Sequence, residues 1–99
     1  MPKYHKRKPI VYAIDLDGTL CRGEVYTPKQ CLKAKPIIRN INKVNEMYKR
    51  KFIVIFTARR DFVVQATFEW LRRNNVMYHA FSNHKMPADK YYDDKFNKL

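Results

Sequence analysis

Residues 10–20, IVYAIDLDGTL, form an apolar run that stops at two aspartates one residue apart, followed by Gly-Thr. Residues 10–14 carry no charge and are mostly β-branched or aromatic, the composition of a strand buried on both faces. Asp15 and Asp17 then stand where that strand leaves its sheet. In open α/β sheets, ligands bind outside the carboxyl ends of the strands. Two carboxylates held together there repel each other unless a cation or a proton lies between them. The stretch by itself points to a metal-assisted site.

The rest of the chain supplies what such a strand needs around it. Residues 21–36 have no steady period, are broken by Gly23 and Pro28, and read as a loop or short flap beside the first strand's mouth. Connections of this length are often functional. Residues 35–51 read as a helix with Pro36 in its first turn. Ile37, Ile38, Ile41, Val44 and Tyr48 form its apolar stripe. Residues 52–56, FIVIF, are a second uninterrupted apolar run and a second buried strand, with Thr57-Ala58-Arg59-Arg60 at its end. Asp61 is placed to cap a helix over residues 62–74. Val64, Phe68 and Leu71 share its stripe, Trp70 lies beside it, and Asn74-Asn75 end it. Residues 76–81 are a third, weaker strand candidate, and residues 90–92 a short fourth one that ends in Asp93-Asp94. Strands alternating with helices imply an α/β fold with parallel pairing and right-handed crossovers. The ends of the first, second and last strands then face one edge. That edge collects Asp15, Asp17, Thr57, Arg59, Asp93 and Asp94.

Ninety-nine residues make a single domain, residues 1–99, near the lower limit for folding without staples. At 45% hydrophobic and 14% aromatic the chain can bury a core, so its 30% charged residues do not make it disordered. The net charge of +12 is large for this size and implies an anionic partner or substrate: a phosphate ester, nucleic acid or an acidic surface. A solvated basic surface is the plainer alternative. Residues 1–9, MPKYHKRKP, read as a basic, mobile lead-in. Cys21 and Cys31 are the only cysteines. No secretory signal is visible, and no run approaches the ~20 apolar residues of a membrane span. A reduced, cytoplasmic setting with both thiols free is expected, with no membrane partner.

Several carboxylates at one edge need a hard divalent cation, and all-oxygen ligands favour Mg²⁺ over zinc. Held by one or two carboxylates, Mg²⁺ spends its other positions on water and substrate phosphate. Thr57 and Lys85 are placed to hold phosphoryl oxygens, with Lys90 and Lys95 as alternatives to Lys85. Arg59 suits a bidentate clamp on an anionic substrate. Asp15 is then free to attack phosphorus and form an aspartyl-phosphate. Asp17 can protonate the leaving oxygen and later deprotonate water. His79 and His84 lack ligand spacing and read as structural or exposed.

At these residues the chain resembles the small Mg²⁺-dependent phosphatases of the haloacid dehalogenase superfamily. Asp15-Leu16-Asp17-Gly18-Thr19 looks like that family's first motif, and Phe56-Thr57-Ala58-Arg59 like its second. Lys85 fits the third and Tyr91-Tyr92-Asp93-Asp94 the fourth, in the family's order along essentially the whole chain. The resemblance implies a minimal Rossmann-like three-layer sandwich with about four parallel strands in the order 3-2-1-4. The intervals between motifs are too short for a cap domain. It further implies Asp15 as nucleophile and metal ligand, and Asp17 as general acid/base and a metal ligand through its main-chain carbonyl. Thr57 and Lys85 are implied as phosphoryl holders, with Asp94 as direct acidic ligand and Asp93 supporting it. His84-Lys85-Met86-Pro87 departs from the family's usual Gly-Lys-Pro. The expected activity is a phosphomonoester hydrolase. The alternatives are a polynucleotide 3′-phosphatase, favoured by the basic charge, and a non-catalytic module that binds nucleic acid through its basic face.

Overall fold

The structure is a computed structural model that describes residues 9–84, 86–95 and 97–99. Residues 1–8 of the basic lead-in, and Lys85, lie outside the described residues. In chain order the elements are β1 (Val11–Asp15), α1 (Pro28–Lys33), α2 (Ile38–Tyr48), β2 (Phe52–Phe56), a 3-10 turn (Asp61–Val63), α3 (Val64–Arg73), β3 (Ala80–Ser82) and β4 (Lys90–Tyr92). The four strands form one parallel sheet in the order β3-β2-β1-β4 with the helices packed on it, the expected α/β architecture.

The two central strands explain why this sheet forms. On β1 and β2, Ile14, Ile53 and Ile55 enter the main core, while Ala13 and Val54, on the opposite pleat, are buried as well. A strand hidden on both faces needs a continuous apolar run, which IVYAI and FIVIF supply. The core is completed by Leu16 and Leu20 beyond β1, Ile41 and Val44 of α2, and Trp70 and Leu71 of α3. The Trp70 indole N–H donates to the Ala34 carbonyl at 2.8 Å, so a large ring is buried with its one polar atom satisfied.

Four local expectations are revised. First, the segment read as a loop contains α1. Thr27 caps it: its hydroxyl accepts the Gln30 N–H at 3.1 Å, and the Gln30 side chain accepts the Thr27 N–H in return. Second, Pro36 precedes α2 rather than lying in its first turn, because it bridges to Cys21. Ile38 is exposed, and Ile41 and Val44 carry the buried face. Third, Asp61 opens the 3-10 turn instead of capping α3, and its carboxylate accepts from the Asn83 side chain at 2.6 Å. The buried face of α3 runs through Thr67, Trp70 and Leu71, while Val64 and Phe68 are half-buried. Fourth, β3 starts later than expected. Asn75 ends α3 in the left-handed region at φ 55°, and the Asn75 and Val76 N–H groups return to the Arg72 and Leu71 carbonyls. That closing turn and the segment after it occupy residues expected in the strand. His79 is structural: its Nδ1 accepts the Ile53 N–H at 3.0 Å, and its ring stacks on Tyr48 and Phe52.

Among the described residues no helix is long and apolar enough to cross a membrane.

Candidate active site

Strand register brings the acids together. β1 pairs with β2 so that Asp15 lies beside Phe56, and with β4 so that Ile14 lies beside Tyr92. Thr57 and the pair Asp93-Asp94 therefore leave the sheet at the same edge as Asp15. After β1 the backbone wraps round one carbonyl: Leu16 O accepts the N–H groups of Thr19, Leu20 and Cys21. Gly18 sits in that turn at φ +83°. A Cβ placed on it would come within 2.7 Å of Asp94 Oδ2, so the bare backbone is what lets the Asp94 carboxylate approach the first motif.

These residues border a cleft of about 790 Å³ lined by Asp15, Asp17, Gly18, Arg59 and Asp94 among others. Asp15 is half-buried there. Its Oδ1 accepts the Leu16 N–H at 2.8 Å, and no hydrogen bond from the described residues reaches Oδ2. Burial pushes its carboxyl up to about 6 from 3.8, the Leu16 N–H opposes this, and the charges of Asp17, Asp94 and Asp93 add to the rise. A carboxylate so disfavoured in its charged form is short of positive charge.

Asp17 has found a counter-charge. Arg59 reaches it from the end of β2, with Nη2 at 2.6 Å from Oδ1 and Nε at 3.2 and 3.1 Å from Oδ1 and Oδ2. The Arg59 side chain is 1% exposed and that of Asp17 is 22% exposed. The guanidinium's remaining N–H groups go to the Cys31 sulfur at 3.1 Å, Thr67 Oγ1 at 2.9 Å and the Cys21 sulfur at 3.4 Å. All five of its donors are thus committed within the protein. Burial alone would lower the Arg59 pKa, but the hydrogen bonds and charge of Asp17 outweigh it and the value is raised. The residue expected to clamp an anionic substrate is therefore placed as an internal brace on Asp17. Cys21 and Cys31 are free, buried thiols in that brace. Burial, helped by Asp17, pushes the Cys21 thiol up to about 12, so it stays protonated and its sulfur lies 3.5 Å from Asp17 Oδ1.

The other expected site residues separate. Thr57 lies at the strand edge but is fully buried, its hydroxyl oxygen accepting the Arg59 N–H at 3.1 Å, and it does not line the cleft. Asp93 turns its Oδ1 to the Lys95 and Asn97 N–H groups, whereas Asp94 lines the cleft. Lys85 lies outside the described residues. Sequence reasoning did not anticipate the Cys31 and Thr67 contacts to Arg59, nor Tyr26 and Phe62, which also line the cleft. Each comes from a segment read as loop, cap or helix stripe, and none belongs to a motif.

Among the described residues no three His, Cys, Asp or Glu side chains are grouped to hold a metal. The carboxylates left available on the cleft's strand edge are those of Asp15 and Asp94, since Asp17 is committed to Arg59. An oxygen-only set with two carboxylates fits Mg²⁺, which keeps several positions for water and phosphate, and not zinc. The raised Asp15 pKa and the close approach of Asp94 over Gly18 agree with a divalent cation there. In comparisons with known protein families, curated proteins and solved structures, no match to this chain is found.

Proposed function

We propose that this chain is a capless Mg²⁺-dependent phosphomonoester hydrolase working through an aspartyl-phosphate on Asp15, in the manner of the haloacid dehalogenase superfamily that its motifs resemble. The observation that carries this reading is the meeting of Asp15, Asp17 and Asp94, from opposite ends of the chain, on one cleft at the carboxyl edge of a parallel sheet.

Mg²⁺ held by Asp15, Asp94 and the Asp17 carbonyl would neutralise these carboxylates and the charge of a bound phosphate. Asp15 Oδ2, which no donor among the described residues reaches, attacks phosphorus as the ester P–O bond breaks. The leaving oxygen takes a proton from Asp17. Within Asp17, Oδ1 has Arg59 Nη2, Arg59 Nε and the Cys21 thiol around it, whereas only Nε reaches Oδ2. Oδ2 is therefore the more open oxygen for passing a proton, and Arg59 fixes its direction. Water then attacks the aspartyl-phosphate, giving its proton to Asp17. The P–O bond to Asp15 breaks, releasing inorganic phosphate and restoring both residues.

The test is hydrolysis of a generic aryl phosphate with and without Mg²⁺. Wild type is expected to turn over only with the metal, and Asp15→Asn to lose about 10³-fold or more in kcat while keeping its far-UV circular dichroism. Absence of metal-dependent turnover across a panel of phosphate esters would overturn the proposal.

A further inference from the structure

Most aromatic rings among the described residues are at least partly buried. Among the described Phe, Tyr and Trp residues only Tyr26 and Phe62 are exposed, at 65% and 61%. Both line the cleft that holds Asp15. They come from different segments: Tyr26 directly precedes the Thr27 cap of α1, and Phe62 lies in the 3-10 turn ahead of α3. α1 packs against both that turn and α3, so the two segments are joined. Each is anchored. The Tyr26 N–H donates to Gln30 Oε1 at 2.9 Å, and its hydroxyl donates to Glu24. Phe62 stands between Asp61, which holds Asn83, and the buried Val63. Scattered exposed apolar side chains need no explanation, but two large exposed rings on one cleft do.

Charge sets the kind of molecule. Arg60 and Lys95 are exposed and line the same cleft, and neither belongs to an ion pair among the described residues. Glu24 also lines the cleft, but four of the nine acidic residues, Asp15, Asp17, Asp93 and Asp94, gather at the strand edge, so the rest of the chain carries a net charge of +16. Basic side chains beside exposed rings are the means by which proteins hold single-stranded nucleic acid. The cations follow the backbone, and the rings stack on bases at about 1–3 kcal/mol per base. A ring-free sugar phosphate would leave both Tyr26 and Phe62 in water. A duplex end would present bases already stacked and paired.

We infer that the phosphate ester taken by this cleft is the phosphorylated end of a single-stranded nucleic acid, its terminal bases stacking on Tyr26 and Phe62 while Arg60 and Lys95 meet its backbone. This inference rests on the hydrolase reading for its chemistry, but its recognition elements are separate from Asp15, Asp17 and Asp94.

The experiment compares single-stranded oligonucleotides phosphorylated at the 3′ or the 5′ end with glycerol phosphate. It uses wild type and the double variant Tyr26→Ala/Phe62→Ala. In parallel, binding of a fluorescent phosphorylated oligonucleotide is measured in the Asp15→Asn background. Wild type is expected to prefer at least one oligonucleotide over glycerol phosphate in kcat/KM by about tenfold or more, the preference shrinking as salt rises. The double variant is expected to lose about tenfold of that ratio, chiefly through KM, and about tenfold in oligonucleotide affinity. Tyr26→Phe and Phe62→Tyr, which keep a stacking ring, are expected to retain both. A ratio and affinity unmoved by the double variant overturn the inference, as does glycerol phosphate serving as well as either oligonucleotide. Ring-dependent oligonucleotide binding without turnover of any ester supports the inference and removes the hydrolase reading alone.

Discussion

Arg59 links the site to the core, and its removal would be felt in both. A buried guanidinium that loses its carboxylate, or a carboxylate that loses its guanidinium, leaves an uncompensated charge, typically costing about 3–5 kcal/mol. Arg59→Met is expected to destabilise the fold by about that much, because Asp17, Thr67 and Cys31 all lose a donor. Arg59→Lys is expected to recover only part, since an ammonium cannot reproduce the fork. Urea unfolding of both variants, and of Asp17→Asn with and without Arg59→Met, measures this. A coupling energy near zero in that cycle would mean the brace is ornamental. The presence of Arg59 at the strand edge is legible from Phe56-Thr57-Ala58-Arg59, but the direction of its side chain is not. Its partners Cys31 and Thr67 lie on two helices, and a local pattern carries no information on which helix packs over which strand end. The different settings of Asp93 and Asp94 are illegible for a similar reason: Asp94 approaches over Gly18, whereas main-chain N–H groups meet Asp93.

Among the elements, α1 has a signal in the sequence although periodicity alone reads a loop there. Thr27-Pro28-Lys29-Gln30 is a capping box with Pro at the first helical position. Six residues are too few to establish an apolar period, and only Cys31 among them is buried, so periodicity returned a loop. The short helix has two tasks. It brings Cys31 to Arg59, and its packing on α3 positions the segment carrying Tyr26. Thr27→Ala removes one of the two reciprocal bonds and is expected to cost about 1 kcal/mol, read by chemical denaturation. An unchanged midpoint would show that packing alone holds α1. The stripe of α3 was misassigned through a different cause. Thr67 is polar yet fully buried, because its hydroxyl donates to the Val63 carbonyl and accepts from Arg59. A hydropathy pattern counts such a residue as outward-facing, which rotated the expected stripe toward Val64 and Phe68.

For the whole molecule, parallel pairing and edge convergence are legible because they follow from apolar runs and from chain connectivity, neither of which depends on side-chain direction, whereas the strand order 3-2-1-4 was implied only by the family resemblance. What that architecture costs can be measured through pH. Asp15 ionises in the folded state only near pH 6, against 3.8 as its ordinary value. Between these values the folded chain holds a proton that the unfolded chain has released. Stability from this group is therefore highest below about pH 4 and falls as pH rises through about 6, the reverse of the usual salt-bridged aspartate. Discounted for solvent screening of this half-buried group, the loss is on the order of 1–2 kcal/mol by pH 7. Asp15→Asn abolishes it, so metal-free wild type and Asp15→Asn are expected to have similar thermal midpoints, after shared effects, near pH 4. The variant gains progressively toward pH 7. A cation that binds the ionised site offsets the same deficit, by about 2.7 kcal/mol at a hundred times its Kd. Added Mg²⁺ is thus expected to raise the wild-type midpoint at pH 7 far more than that of Asp15→Asn, and to do little at pH 4. Parallel curves for the two proteins from pH 4 to 7 would show that Asp15 bears no such strain. An equal Mg²⁺ shift in both would move the cation away from the end of β1.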